Sequence, residues 1–455
     1  MNDNELNIAM LAAARDAWMA GAPLRRARAS CKRFTYGDQW ADPMPGSGHV
    51  SEAELAVKSG RRPMTNNLIR QLVKTVVGRF RAMADEKKAY VAPPGSAVVR
   101  NQLAELDSRM LEEFLISGCA VQRVVSERRM QGTGVWVDNV CPDRFFVNAY
   151  RDPRGFDIEL AGMLHDMSPA ELLARFAGAD AAKAQRIRRS YSAAEAALPP
   201  TSASLDFFTA PAGKWRVVEM WTLDAVVRPA GRRRASARGA ATEFVWQCRW
   251  LAPDGTLLSS YASPFAHGGH PFAVKHYPLT DGEVHSFVDD LLDQQRCINR
   301  LITMIDHIMS CSAKGVLLFP VEQLPDNMDW KQVSEAWAAS DGVIPVTGRG
   351  ELPRQVVTNG GANGAYQLLA LQMKLFEDIS GVGDTLLGRN DGGARGANLY
   401  EAQVRNATIA LYDLLLTFDS FTRQRDEKMK NCRYTILIAI IIVCLSILIY
   451  LCSDN

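Results

Sequence analysis

In the stretch SFVDDLLDQQRCINRLITMIDHIMSCS, Ser286–Ser312, the apolar residues Phe287, Leu291, Ile298, Leu301, Ile305 and Ile308 recur at steps of three, four or seven. That spacing predicts a long amphipathic helix, roughly 40 Å at the standard rise, with one face toward a partner. Asp289, Asp290 and Asp293 crowd its start, where the helix dipole favours carboxylates, so neither a metal nor catalysis is needed to account for them.

Downstream, two short strands are expected at Gly315–Phe319 and Gly342–Val346, bracketing a small excursion that contains Met328–Ala339. A second helix is expected over Tyr366–Ile379. A glycine-rich loop follows, Gly381–Gly396, holding Arg389, Asn390 and Arg395. On composition alone this loop fits equally a mobile cationic contact for a duplex and an ordinary surface connection. A long helix is expected from Asn398 to about Lys430. Then comes Tyr434–Cys452, uncharged and rich in Ile, Leu and Val. As a helix it nearly matches the roughly 30 Å hydrocarbon core of a bilayer. Lys428, Lys430 and Arg433 on its near side would keep the preceding part cytoplasmic, and the competing reading is a buried core helix.

Upstream, Asn7–Arg33 reads as helix interrupted near Gly21–Pro23, with Met1–Trp18 an amphipathic helix and not a signal peptide. Thr65 and Ser96 are expected N-caps of two further helices, the second running to Gly118. Gln131-Gly132-Thr133-Gly134 signals a hairpin between Val121–Arg128 and Val135–Val140. Ser168 followed by Pro169 opens a helix expected to reach Tyr191. Leu198–Gly213 reads as a loop or linker. Lys214–Val227 and Glu243–Trp250 read as strands, and Asp254-Gly255 as a hairpin turn. Arg228, Arg232, Arg233, Arg234 and Arg238 lie between those two strands, either as a phosphate contact or as a solvated hairpin tip.

The chain has 455 residues, enough for two or three packed units, and a formal charge of +2, which excludes a strongly basic nucleic-acid coat. Its nine cysteines are scattered without a C-x-x-C pair, which argues against a disulfide scaffold or a zinc ribbon. No phosphate loop, dinucleotide fingerprint, H-E-x-x-H or G-x-S-x-G is present, so an enzyme is not expected and no cofactor is implied. His267 and His270 form an H-x-x-H pair without a third ligand at useful spacing, which favours loop histidines over a metal site.

Three groups of residues carry a family resemblance. Gly37-Asp38-Gln39-Trp40, then Pro63 with Asn66 and Asn67 ahead of a helix passing Gly78, form the first. Pro271-Phe272, a strand and Asp290-Leu291-Leu292-Asp293-Gln294-Gln295 leading to Asn299 form the second. Gly381-Val382-Gly383, Leu387-Gly388 and the glycine-rich loop form the third. In this order, over about Asn7–Arg425, they resemble the P22-like branch of tailed-bacteriophage portal proteins. The tail segment resembles instead the anchor of tail-anchored membrane proteins, where a portal would continue into further β-structure and a crown.

The resemblance implies an α+β, portal-like fold: a mainly helical stem and core, a β-rich wing, a small clip, and one added C-terminal transmembrane-type helix. Residues 1–285 would form the wing and N-terminal α+β region. Residues 286–380 would hold two stem helices, with the clip about 315–350. Residues 381–397 would be a tunnel-type loop, 398–430 a crown-base helix and 434–452 the hydrophobic tail. It implies a non-enzymatic, ring-forming conduit for double-stranded DNA at the capsid vertex, assembled in the host cytoplasm, homo-oligomeric and usually dodecameric. Terminase, head–tail adaptors and capsid or scaffold proteins would be its partners. Arg389, Asn390 and Arg395 would face DNA without reading its sequence. The alternative is a tail-anchored adaptor that contacts a membrane through Tyr434–Cys452.

Overall fold

The computed structural model describes residues 3–43, 50–86, 96–197, 206–228, 241–312, 316–338, 343–348, 350–356, 362–382, 409 and 411–432. Helices α1 (Asp3–Ala20) and α2 (Ala22–Tyr36) are separated at Gly21, then come α3 (Glu52–Lys58), α4 (Leu68–Glu86), α5 (Ala97–Asn101) and α6 (Leu103–Ser117). Strands β1 (Cys119–Arg129), β2 (Gly132–Asn139), β3 (Phe145–Val147) and β4 (Leu160–Met167) lead to α7 (Pro169–Phe176) and α8 (Ala181–Ala197). Six strands follow: β5 (Trp215–Arg228), β6 (Ala241–Leu251), β7 (Leu257–Ala262), β8 (Phe272–His276), β9 (Pro278–Thr280) and β10 (Glu283–Val284). The last part holds α9 (Leu292–Ser312), β11 (Val316–Leu318), α10 (Trp330–Ala338), β12 (Arg354–Val356), α11 (Ala362–Ser380) and a helix over 411–432, here α12.

The chain divides into two compact units. One comprises Met1–Lys32, Leu72–Asp289 and Arg389–Asn455; the other comprises Arg33–Gln71 and Asp290–Gly388. Arg33–Gln71, expected with the N-terminal region, is therefore grouped with the long helix α9.

The first unit is built on two antiparallel sheets, a three-stranded one in the order β2-β1-β8 and a five-stranded one in the order β3-β4-β5-β6-β7. Strand β5 shows how the sequence period sets its packing. Val217 and Trp221 join a core with Val121 and Val124 of β1, Trp136 of β2 and Phe272 of β8. Val218 and Met220, on the opposite face, join a second core with Leu11, Ala14 and Trp18 of α1. The five-stranded sheet is thus covered on both faces. At the end of α6, Gly118 takes a left-handed φ of 66°, and a Cβ there would meet the Val284 side chain at 2.9 Å.

Several expected boundaries move. The hairpin tightens, pairing Arg129 with Gly132 around Met130 and Gln131. The helix expected from Ser96 breaks at Gln102, whose φ is 49°. The helix expected from Ser168 to Tyr191 divides around Gly178, although Ser168 does cap α7 by accepting from Glu171 N. Thr65 is not a cap: its hydroxyl accepts from the Trp40 indole, and Asn67 Oδ1 accepts from Arg70 N instead. Helix α9 starts at Leu292, because Ser286 caps a preceding tight turn through Asp289 N. Gly342–Val346 is no strand where described: 343–348 has no regular structure, and Gly348 N donates to the Gln323 side chain. The partner of β11 is β12, with Leu317 opposite Gln355.

Candidate functional site

In the second unit, residues quoted from two separate parts of the sequence meet in one buried polar cluster. Gln295, Asn299 and Thr303 lie four apart along α9, so they form a single row on one helix face. All three are buried. The extended segment before α4 runs along this row. Met64 N donates to Thr303 Oγ1 at 3.0 Å, Asn66 N to Asn299 Oδ1 at 3.1 Å, and Leu68 N to Gln295 Oε1 at 3.0 Å. Two residues of an extended chain advance by about 6.6 Å and four residues of a helix by about 6 Å, so the two repeats stay nearly in step.

Gln295 also caps the start of α4, accepting from Ile69 N at 3.3 Å and donating to Asn66 O at 2.6 Å. Asn299 Nδ2 donates to Gln39 Oε1 at 2.6 Å, and Gln39 Nε2 donates to Phe34 O at 2.7 Å. Asn67 Nδ2 donates to Thr35 O at 3.0 Å. On the flank, Arg296 pairs with Asp42 at 2.6 Å and Arg300 with Glu52 at 2.8 Å. Every buried amide of this cluster is matched, as burial requires. The chemistry is that of a joint: it holds Gln39, Asp42, Glu52 and residues 64–69 against α9.

Further along α9, α11 packs against it, burying Ala365 and Phe376. The other side of α11 leaves Leu368, Leu371, Leu375 and Ile379 exposed, a second apolar stripe at helical spacing. Gly381 ends α11 with φ 63°, and Val382 N donates to Ser380 Oγ at 3.2 Å. Arg389, Asn390 and Arg395 lie outside the described residues, as do 229–240 with most of the arginine-rich loop.

In the first unit, α12 is tied down by polar contacts that the sequence alone did not single out. Arg425 makes a two-pronged ion pair with Asp107, at 2.6 and 3.0 Å, and donates to Gln122 Oε1 at 3.2 Å. All three side chains are buried. Gln424 Oε1 accepts from Val274 N, and Lys428 Nζ donates to His270 O at 2.8 Å. Burial pulls the Lys428 ammonium down to about 8.

The H-x-x-H pair is used locally. Gly269 N donates to His267 Nδ1 at 2.9 Å and Phe272 N to His270 Nδ1 at 3.2 Å. Burial, with Lys428 nearby, pulls His267 down to about 4 and His270 well below its ordinary value, so both rings are neutral near pH 7. Among the described residues no group of three or more His, Cys, Asp and Glu is placed to hold a metal.

A cleft of about 1060 Å³ opens between the β1–β2 hairpin, β4 and α7, with Arg123, Arg129, Arg144 and His165 in its lining. Arg123 and His165 both hold the fully buried Glu219, at 3.1 and 2.8 Å, and Trp221 Nε1 donates to it at 2.9 Å. Burial works against the Glu219 carboxylate, but Arg123 and His165 outweigh it and hold its pKa below the usual range. Arg129 pairs with Asp138 and Glu127, and Arg144 with Asp166. The Glu219 contacts connect β1 to β4 and β5, and Arg129 ties β1 to β2.

Among the described residues no helix is long and apolar enough to cross a membrane; Tyr434–Cys452 falls outside them. A family model described as phage P22-like portal protein matches residues 99–429. A search of curated proteins finds none that matches. The matched span runs from α5 through both sheets, α9, α11 and α12, almost to the end of the described chain, and on that match the chain belongs to the P22-like family of phage portal proteins, structural components of the virion.

Proposed function

We propose that this chain is the ring-forming subunit of a passive DNA conduit at the capsid vertex, through which double-stranded DNA passes during packaging and ejection. The family match over residues 99–429 carries this reading. The pair α9 and α11, joined through β11, α10 and β12, supplies the stem and clip that such a ring needs. Residues 315–350 would dock the terminase motor and later the head–tail adaptors. Arg389, Asn390 and Arg395 would face the duplex. A near-neutral subunit suits a channel that must hold DNA loosely, since neutralising many phosphates would stall translocation.

Closure of head-to-tail contacts generates rings, so the subunit has to present two different faces to its neighbours. The second apolar stripe on α11 is suited to one of them. Mass photometry and negative-stain images of the full chain in detergent test the reading. Closed rings are expected; monomers alone under all salt and detergent conditions refute it.

The uncharged stretch Tyr434–Cys452 favours a second reading, a membrane-tethered adaptor. On that reading, removing Tyr434–Asn455 moves the protein from the membrane to the soluble fraction. Solubility of the intact chain without detergent eliminates it.

A further inference from the structure

We infer that the outer face of α8 is a docking surface for the phosphate backbone of a nucleic-acid duplex, separate from the channel. Four cations, Lys183, Arg186, Arg188 and Arg189, fall within seven residues of this helix. Arg186 and Arg189 stand one turn apart on the same side, with Arg188 on the opposite flank, and all three arginines are exposed. Among the described residues none of the four pairs with a carboxylate.

Of the acids whose side chains are described, the two that contact α8, Asp180 and Asp254, are turned to other tasks. Asp180 Oδ1 accepts from Lys183 N at the start of the helix, at 2.9 Å. The Asp254 carboxylate accepts from the hydroxyls of Ser190 and Thr256 and from Thr256 N. With four cations against one acid, Glu195, the side chains of α8 carry a net charge of +3.

The same contacts make the array rigid. Ile187 and Tyr191 are buried beneath α8. The Tyr191 ring stacks on Trp215 with centroids 4.5 Å apart and nearly parallel planes, and its hydroxyl donates to Arg216 O at 2.7 Å. Cations on a pinned helix lose less freedom on binding than cations on a loop.

The chemistry of the face selects the partner. A protein interface is anchored by buried aromatic or aliphatic side chains. On α8 no large apolar side chain is exposed; between the arginines lie Gln185, Ser192 and small residues. Charge without an apolar anchor suits phosphates, contacted without sequence readout. This surface goes beyond the conduit reading and relies on it only for the expectation that a duplex is at hand.

The test compares the full chain with the triple variant R186Q/R188Q/R189Q, in which glutamine keeps helix propensity. A second triple, K58Q/R61Q/R62Q, removes the same charge from another exposed stretch. Binding of a labelled random-sequence duplex is followed by fluorescence anisotropy across a salt series. For the α8 triple, the slope of log affinity against log salt should flatten by about two to three, as each lost phosphate contact removes roughly 0.9. Affinity near 0.1 M salt should fall about a hundredfold or more, and the two proteins should converge near 1 M. The control triple should match the parent.

Equal losses in both triples, or no loss in the α8 triple, overturn the inference. So does tighter binding of poly-glutamate than of duplex, which would mark the face as one for an acidic protein. Ring formation is scored separately by mass photometry. A parent that forms no rings yet shows the α8-dependent slope would sink the conduit reading and leave this surface standing.

Discussion

The two compact units are held by different chemistry. The first is a layered body in which alternate residues of β5 feed two apolar cores, on either face of one sheet. The second depends, where residues 39–69 meet α9, on side-chain amides that bond backbone groups one by one. An apolar core accepts many side chains of about the right size. A polar row accepts few, because each atom must donate or accept at a given point. Of the residues carrying the family resemblance, Gln39, Asn66, Asn67, Gln295 and Asn299 fall in the second unit's polar joint, whereas Phe272 falls in the first unit's three-stranded sheet.

The comparison breaks most sharply at the place where the first unit relies on polar chemistry as well. Arg425→Met should destabilise that unit by about 3–5 kcal/mol, since the buried Asp107 carboxylate loses its counter-charge. Chemical denaturation followed by tryptophan fluorescence reads this, and a loss below about 1 kcal/mol would show that the pair is dispensable. Next comes acid. His276, half-buried and stacked on Tyr150, is pulled down to about 4 by burial, whereas an unfolded histidine takes its proton near 6.5. Below about pH 6.5 the unfolded state gains a proton that the folded state refuses, so stability falls until the folded ring titrates near 4. The loss should approach about 3 kcal/mol for this residue, with His270 acting in the same direction. Constant stability between pH 7 and 4.5 would mean that these rings are not held neutral.

In the second unit, Gln295→Ala leaves Leu68 N, Ile69 N and Asn66 O without their partner and should cost about 2 kcal/mol. Hydrogen exchange at Leu68 and Ile69 should speed up in step, an effect that loss of packing elsewhere would not produce. The smallest change expected is Ser168→Ala, about 1 kcal/mol from the lost cap of α7. It reports on one helix end and should leave the joint untouched, which makes it the baseline for the others.

Much of this was readable in the sequence where one residue's neighbours along the chain decide its state. Gly21 and the Ser168-Pro169 pair marked helix ends, and the runs Lys214–Val227 and Glu243–Trp250 marked strands, because backbone sterics and burial period act locally. Asn67 was overlooked as a cap because Thr65, two residues earlier, has the same local credentials; only its bond with Trp40 takes it out of contention. The strand expected at 342–346 failed for a similar reason. Its composition suits a strand, but Gln323 claims the Gly348 amide, and β11 finds Arg354–Val356.

The sequence by itself therefore determined the helices and strands, the near-balance of charge and the kinship with portal proteins. Tertiary structure alone decided that Gln295 and Asn299 of α9 would meet the backbone of residues 64–69, and that Arg425 would be neutralised by Asp107. The reason is separation along the chain. A hydrogen bond between residues more than two hundred apart leaves no periodic trace, whereas a helix face repeats every turn.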